Sequence, residues 1–214
     1  MPIKGIFWDN DGVLVDTEHL YFRATAETLH AAGIALSRES FIEISLRQGE
    51  SVLCLARRKG FSAQQVEDLR QARNERYAGL LRQGVKAIAG VERILRLLHG
   101  RVRMAIVTSS LRDHFDLIHH STGLTGYFDF VLTREDYTFS KPHPEPYLTA
   151  LKRSGLDPGE CIVIEDSERG LQAAVEAGLR CLIIPGELTR GGDFSAAWRT
   201  LHDVHEIPSA ISDF

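Results

Sequence analysis

Residues 3–8, Ile-Lys-Gly-Ile-Phe-Trp, form a short apolar run that stops abruptly at Asp9-Asn10-Asp11-Gly12. A mostly apolar run of this length reads as a strand buried on both faces, the setting of a parallel sheet. Residues two apart on a strand share a face. Asp9 and Asp11 should therefore converge at the carboxyl end of the strand, where open α/β sheets place their ligands. Neighbouring carboxylates repel, so such a pair usually needs a cation or a shared proton. Gly12 lets the backbone turn sharply. The pair suits a hard metal ion and acid/base work at once. Taken alone it reads equally well as a polar turn after a strand. A calcium loop counted from Asp9 is excluded, because Leu14 and Leu20 stand where Gly and Glu are required.

Four further runs, residues 102–108, 128–132, 161–165 and 180–184, repeat the strand pattern. Helical periodicity fills the gaps between the later ones. Val91, Ile94, Leu95 and Leu98 share one face, as do Tyr147, Leu148 and Leu151, and Leu171, Ala174 and Val175. Gly178 is placed to close the last of these helices. Alternation of strand and helix predicts an α/β fold with a parallel sheet covered on both faces. Residues 17–85 break the rhythm. They predict helices over 17–32, 37–46, 50–59 and 62–81, with Ser62 as an N-cap. The expected organisation is a core of residues 1–16 and 86–214 with a helical cap, residues 17–85, inserted over the ligand edge. The tail after Pro185 predicts a loop and a short helix near residues 195–201.

The remaining composition narrows the partners. The formal charge is −4 and no long basic cluster occurs, which argues against a nucleic-acid footprint. No apolar run approaches membrane-spanning length, and no signal peptide is expected. Cys54, Cys161 and Cys181 show no metal-ligand spacing, and two of them lie in strand-like runs, so a reducing cytoplasm is the expected compartment.

Three more segments carry chemistry. Ile106-Val107-Thr108-Ser109-Ser110 ends a strand in hydroxyls and free N–H groups, which suits a phosphate oxygen or simply caps a helix. Ser140-Lys141-Pro142-His143-Pro144 sets a lysine in a proline frame, able to neutralise a phosphate or carboxylate, or merely solvated. His143 reads as a loop residue without a role. Ile164-Glu165-Asp166-Ser167 ends a strand in adjacent acids that can cap the next helix or supply oxygen ligands to magnesium.

Together these segments resemble the haloacid dehalogenase superfamily, most closely its phosphatase and phosphohexomutase branch, which includes β-phosphoglucomutase. Residues 9–18 match Asp-x-Asp-Gly-Val-Leu-x-Asp-Ser/Thr-Glu, and Thr108 matches the second motif. Residues 140–144 match Ser/Gly-Lys-Pro-x-Pro, and residues 165–170 match Glu-Asp-Ser-x-x-Gly. Gly126-Tyr127-Phe128-Asp129 fits the family's entry to its third strand.

The resemblance implies a Rossmann-like core with the helical cap between the first and second motifs. It implies a magnesium-dependent phosphatase acting on a small phosphorylated metabolite, a sugar phosphate by default. Asp9 is the implied nucleophile and Asp11 the implied acid and base. Magnesium would take the Asp9 carboxylate, the Asp11 backbone carbonyl and Asp166, with Glu165 at or beside the site. Lys141 would offset phosphoryl charge. Thr108 and the backbone N–H groups of Asn10 and Ser109 would hold phosphate oxygens.

Departures from the family pattern bear on the chemistry. Asn10 stands where an apolar residue is usual, faces away from the two aspartates and needs a buried partner. Tyr21 replaces the mutase cap histidine, and Val52 falls near the position of its cap arginine. These favour phosphatase over the alternative, a β-phosphoglucomutase-like phosphohexomutase. Arg73 and Tyr77 share a face of the predicted 62–81 helix, which makes Arg73 either a substrate-binding residue or part of a solvated face. Dehalogenase members lack the acid that Asp11 supplies, and a binding module that had lost catalysis would lack a carboxylate or the lysine.

Overall fold

The computed structural model describes residues 3–212. Each of the apolar runs forms a strand: β1 (Gly5–Trp8), β2 (Arg103–Val107), β3 (Phe130–Leu132), β4 (Cys161–Glu165) and β5 (Arg180–Ile183), joined by a short β6 (Arg199–Thr200). All neighbours pair in parallel, in the order β3-β2-β1-β4-β5-β6. Strand parity sorts the core into two layers. Ile6 and Trp8 pack with Met104, Ile106, Ile162 and Ile164 beneath α5 (Val91–Leu98), α6 (Arg112–His119) and α9 (Ile207–Ser212). Phe7 packs with Ala105, Val107 and Val163 beneath α7 (Glu145–Ser154) and α8 (Glu168–Glu176). The strand order runs outward in both directions from β1, so the crevice at its carboxyl end is a topological switch point.

Between β1 and β2 the chain builds α1 (Glu18–Ala31), α2 (Arg38–Phe41), α3 (Cys54–Arg58) and α4 (Ala63–Leu81). Leu29, Ile34, Leu53, Ala56 and Val66 form an apolar cluster within this insertion. Ser62 and Gln65 cap α4 reciprocally, each side chain accepting from the other's backbone N–H. Among the described residues, no helix is long and apolar enough to cross a membrane.

Three predicted helices are corrected. The helix over 37–46 divides into α2 and a π-helical segment, Ile42–Arg47, in which Gln48 N donates to Glu43 O five residues back. The helix over 50–59 shortens to α3, because the N–H groups of Cys54, Leu55 and Ala56 donate three residues back, to Ser51, Val52 and Leu53. No helix forms at 195–201. Trp198 N donates to Cys181 O and Leu201 N to Ile183 O, which draws this segment alongside β5 as strand β6.

Candidate active site

The register sets the site. Trp8 lies opposite Ile106 on one side and Ile164 on the other. One or two residues beyond this row, Asp9, Thr108, Glu165 and Asp166 therefore meet at one edge. Two glycines permit this approach. Gly12 has φ +85°, and a Cβ there would stand 2.3 Å from Asp166 Oδ2. A Cβ on Gly170 would stand 2.0 Å from the Glu165 carboxyl carbon.

Lys141 is 2% exposed and ties the acids together. Its Nζ donates to Asp9 Oδ1 at 2.7 Å, Glu165 Oε1 at 2.6 Å and Val107 O at 2.9 Å. Tyr147 on α7 donates its hydroxyl to the same Glu165 oxygen at 2.7 Å. Ser167 Oγ and Asp166 N donate to Glu165 Oε2. Burial alone would raise Glu165, but Lys141 outweighs it and holds this carboxyl below its ordinary value. Burial also opposes the Lys141 charge, and Asp9 and Glu165 together reverse that, raising its pKa.

One lysine does not balance the remaining acids. Burial first, and the Glu165 charge second, push Asp9 up to about 7. Burial pushes Glu18, at the start of α1, up to about 8 against the pull of Arg169. Burial and Glu18 hold Asp166 well above its usual range. Asp9, Glu165 and Asp166 each offer a carboxylate oxygen within 4.8 Å of the others. Excess buried negative charge on hard oxygen donors is the signature of a site suited to a cation such as magnesium.

The Asp11 carboxylate turns away from that cluster. It accepts from Thr17 Oγ1, from Ser110 Oγ at 2.9 Å, from Thr108 Oγ1 at 3.2 Å and from Asn10 Nδ2 at 3.3 Å. The Thr108 hydroxyl, expected on a phosphate, is thus engaged with Asp11. Asn10 is fully buried, and its amide, expected to face away from both aspartates, instead reaches Asp11 through Nδ2, while its other partner is His119 on α6, with Nε2 2.8 Å from Oδ1.

Asp9, Asp11, Ser109 and Lys141 line a cavity of about 340 Å³ that is roofed by the insertion, including Tyr21, Arg73 and Tyr77. Arg73 is 8% exposed. It donates to Tyr21 Oη and Asn74 Oδ1, and its guanidinium lies 4.9 Å from the Tyr21 ring centre. Tyr77 meets the Tyr21 and His114 rings edge-on. Val52 is buried in a separate apolar cluster with Phe41 and Leu188. His143 Nδ1 accepts from Glu145 N at the start of α7.

Sequence reasoning singled out Asp9, Asn10, Asp11, Thr108, Ser109, Lys141, Glu165, Asp166 and Arg73, and all of them lie at or beside this cavity. It missed Tyr147, Ser110, Arg169, His114 and the side chain of Glu18. Glu18 closes the first motif and was open to recognition there. Ser110 and Arg169 likewise lie inside the second and fourth motif segments, whereas Tyr147 and His114 reach the site only through packing.

Comparison with known proteins agrees with this geometry. A family model described as haloacid dehalogenase-like hydrolase matches residues 6–184. Protein CbbY of Rhodobacter capsulatus is 33% identical over 211 residues, covering 93% of each chain. The fructose-1-phosphate phosphatase YqaB of Escherichia coli (strain K12) is 28% identical over 185 residues, covering 82% of this chain and 93% of that one. A crystal structure of CbbY from Rhodobacter sphaeroides in complex with phosphate superposes with a TM-score of 0.82 at 27% identity, covering 99% of this chain and 100% of that one. The chain belongs to the haloacid dehalogenase-like hydrolases, in the phosphatase and phosphohexomutase branch of that superfamily, and is a phosphoric monoester hydrolase.

Proposed function

We propose that the protein is a magnesium-dependent phosphatase that hydrolyses a small phosphorylated metabolite, a sugar phosphate, through an aspartyl-phosphate on Asp9. The observation that carries this reading is the Asp9 carboxylate. It is 8% exposed at the switch point of the sheet, fixed by Lys141 and open to the cavity. We divide the chain into a core of residues 1–16 and 86–214 and a cap of residues 17–85, and place it in the cytoplasm, where its free thiols would stay reduced.

In the first half-reaction an Asp9 carboxylate oxygen attacks phosphorus, and the bond from phosphorus to the ester oxygen breaks. Asp11 gives its proton to the leaving alkoxide. In the second, Asp11 as carboxylate takes a proton from water, the water oxygen attacks phosphorus, and the bond to Asp9 breaks to release inorganic phosphate. Lys141 offsets the charge on the transferring group and, together with magnesium when bound, would favour the ionised form of Asp9. The backbone N–H groups of Asn10 and Ser109 hold phosphate oxygens. Asp9, the Asp11 carbonyl, Asp166 and Glu165 would hold magnesium, which when bound stabilises phosphoryl charge. Arg73 would grip the non-reacting part of the substrate. Among the described residues no carboxylate pairs with this buried guanidinium, which leaves it available to an anionic or hydroxylated group.

A screen of phosphorylated metabolites, read as phosphate release with and without magnesium, tests this function. Chelation should abolish turnover and magnesium should restore it; full activity after chelation would sink the proposal. The same assay separates the rival chemistry. A mutase must return phosphate to sugar faster than water takes it. With Tyr21 and Val52 at the cap positions, β-glucose 1-phosphate should yield inorganic phosphate and little glucose 6-phosphate, even when primed with the bisphosphate. Efficient conversion with little phosphate release would make the enzyme a mutase.

Metal binding should also couple to pH. The carboxyls of Asp9 and Glu18 titrate higher in the folded chain, near 7 and 8, than their ordinary 3.8 and 4.5. Such groups bind more protons folded than unfolded, so they destabilise the metal-free chain increasingly as pH rises through that window. A cation replaces those protons. Magnesium should therefore raise the thermal midpoint more at about pH 8 than at about pH 5.5. Equal shifts at both would contradict a carboxylate-bound ion.

A further inference from the structure

We propose that Asn10 and His119 are positioning residues that aim the Asp11 carboxylate at the leaving group. This rests on the reading of Asp11 as the acid and base. Strand parity sends the Asn10 side chain to the face of Ile6 and Trp8, beneath α6. An apolar residue would fit that packed surface, and a fully buried amide costs stability unless it is bonded. Both ends of this amide are engaged. Oδ1 lies 2.8 Å from His119 Nε2, and Nδ2 donates to Asp11 Oδ2 at 3.3 Å. His119 Nδ1 in turn lies 2.8 Å from Thr122 Oγ1.

The direction of this chain of bonds follows from its last member. In the second half-reaction Asp11 acts as a carboxylate, which only accepts, so the amide nitrogen then faces Asp11 and the amide oxygen faces His119. Nε2 then carries the proton, and Nδ1 accepts from the Thr122 hydroxyl. This needs a neutral imidazole, and burial pushes His119 down to about 4. The ring is also clamped, with its centre 4.4 Å from that of Phe115. The other donors to Asp11 are the hydroxyls of Thr17, Thr108 and Ser110. Hydroxyls rotate, and can donate or accept. Thr108 Oγ1 is itself held by the Ser110 N–H at 3.0 Å, and the Asn10 amide, locked from behind by His119, is a second donor whose direction is set, so it helps to fix where the carboxylate points.

A purely structural role for the pair predicts losses that are indifferent to the substrate. A positioning role predicts dependence on the leaving group. The test compares glucose 6-phosphate, whose alkoxide needs a proton, with p-nitrophenyl phosphate, whose phenolate leaves without one. Both kcat/KM values are read on one sample, so the folded fraction cancels in their ratio. Asn10→Leu and His119→Phe should each lower the ratio of glucose 6-phosphate to p-nitrophenyl phosphate roughly 10-fold. His119→Gln keeps a donor toward Asn10 and should recover most of the ratio. The double variant should lose no more than Asn10→Leu alone. An unchanged ratio in Asn10→Leu, or losses that add in the double variant, would overturn the relay. Asp11→Asn is the reference. If its ratio is also unchanged, the assignment of Asp11 as acid falls and the relay falls with it. If its ratio drops while that of Asn10→Leu does not, only the positioning role is lost.

Discussion

Asp9→Asn should lower phosphate release on the order of 10⁵-fold or more, with no phosphorylated protein trapped by acid quench. The amide has the shape of the carboxylate, so it can fill the same place at the end of β1. It lacks the anionic oxygen that attacks phosphorus. Stability should move the other way. The Asp9 carboxyl is pushed up to about 7 by burial and by Glu165, so its charge works against the folded state near neutral pH. Replacing it with a neutral amide relieves that repulsion, and Lys141 keeps Glu165 as its partner at 2.6 Å. The thermal midpoint of the metal-free variant should therefore equal or exceed that of the parent. Intact-mass analysis after acid quench with substrate checks the chemistry and a melting curve checks the fold. A phosphoprotein recovered from Asp9→Asn would place the nucleophile elsewhere.

The second large effect is expected at Lys141. Lys141→Met removes the side-chain cation bonded to both Asp9 and Glu165 and leaves their carboxylates buried beside each other. Breaking a buried pair by deleting one partner typically costs about 3–5 kcal/mol, because the remaining charge is uncompensated. Here two charges and the Val107 carbonyl lose a donor. The loss should be read by urea unfolding at neutral pH without metal. It should shrink on acidification, since the stranded carboxyls titrate higher in the folded chain than in the unfolded one and the deficit grows only as pH rises above the unfolded value. Lys141→Met combined with Glu165→Gln should recover part of the stability. A loss below about 1 kcal/mol, the size expected for an exposed pair, would show that the triad is far better hydrated than its burial implies.

Local sequence determined much of this protein. The end of β1 at Asp9, the order of strand and helix, the Ser62 cap and the left-handed Gly178 after α8 each depend on a few adjacent residues and were legible there. The Asp9 and Glu165-Asp166 segments could be assigned to one edge because parallel strands deliver their carboxyl ends there, whereas the Lys141 segment joined them through the family resemblance. Contacts made across the chain were not legible. His119 meets Asn10 although the two are 109 positions apart, and nothing near His119 marks it. Tyr147 sits in an apolar helical face, yet its hydroxyl serves Glu165. The orientation of Thr108 toward Asp11 depends on how β1 and β2 align. β6 exists because β5 offers free carbonyls to Trp198 and Leu201, not because residues 199–200 carry a strand pattern. Periodicity reports which face of an element is apolar; only packing decides which polar atom each buried side chain meets.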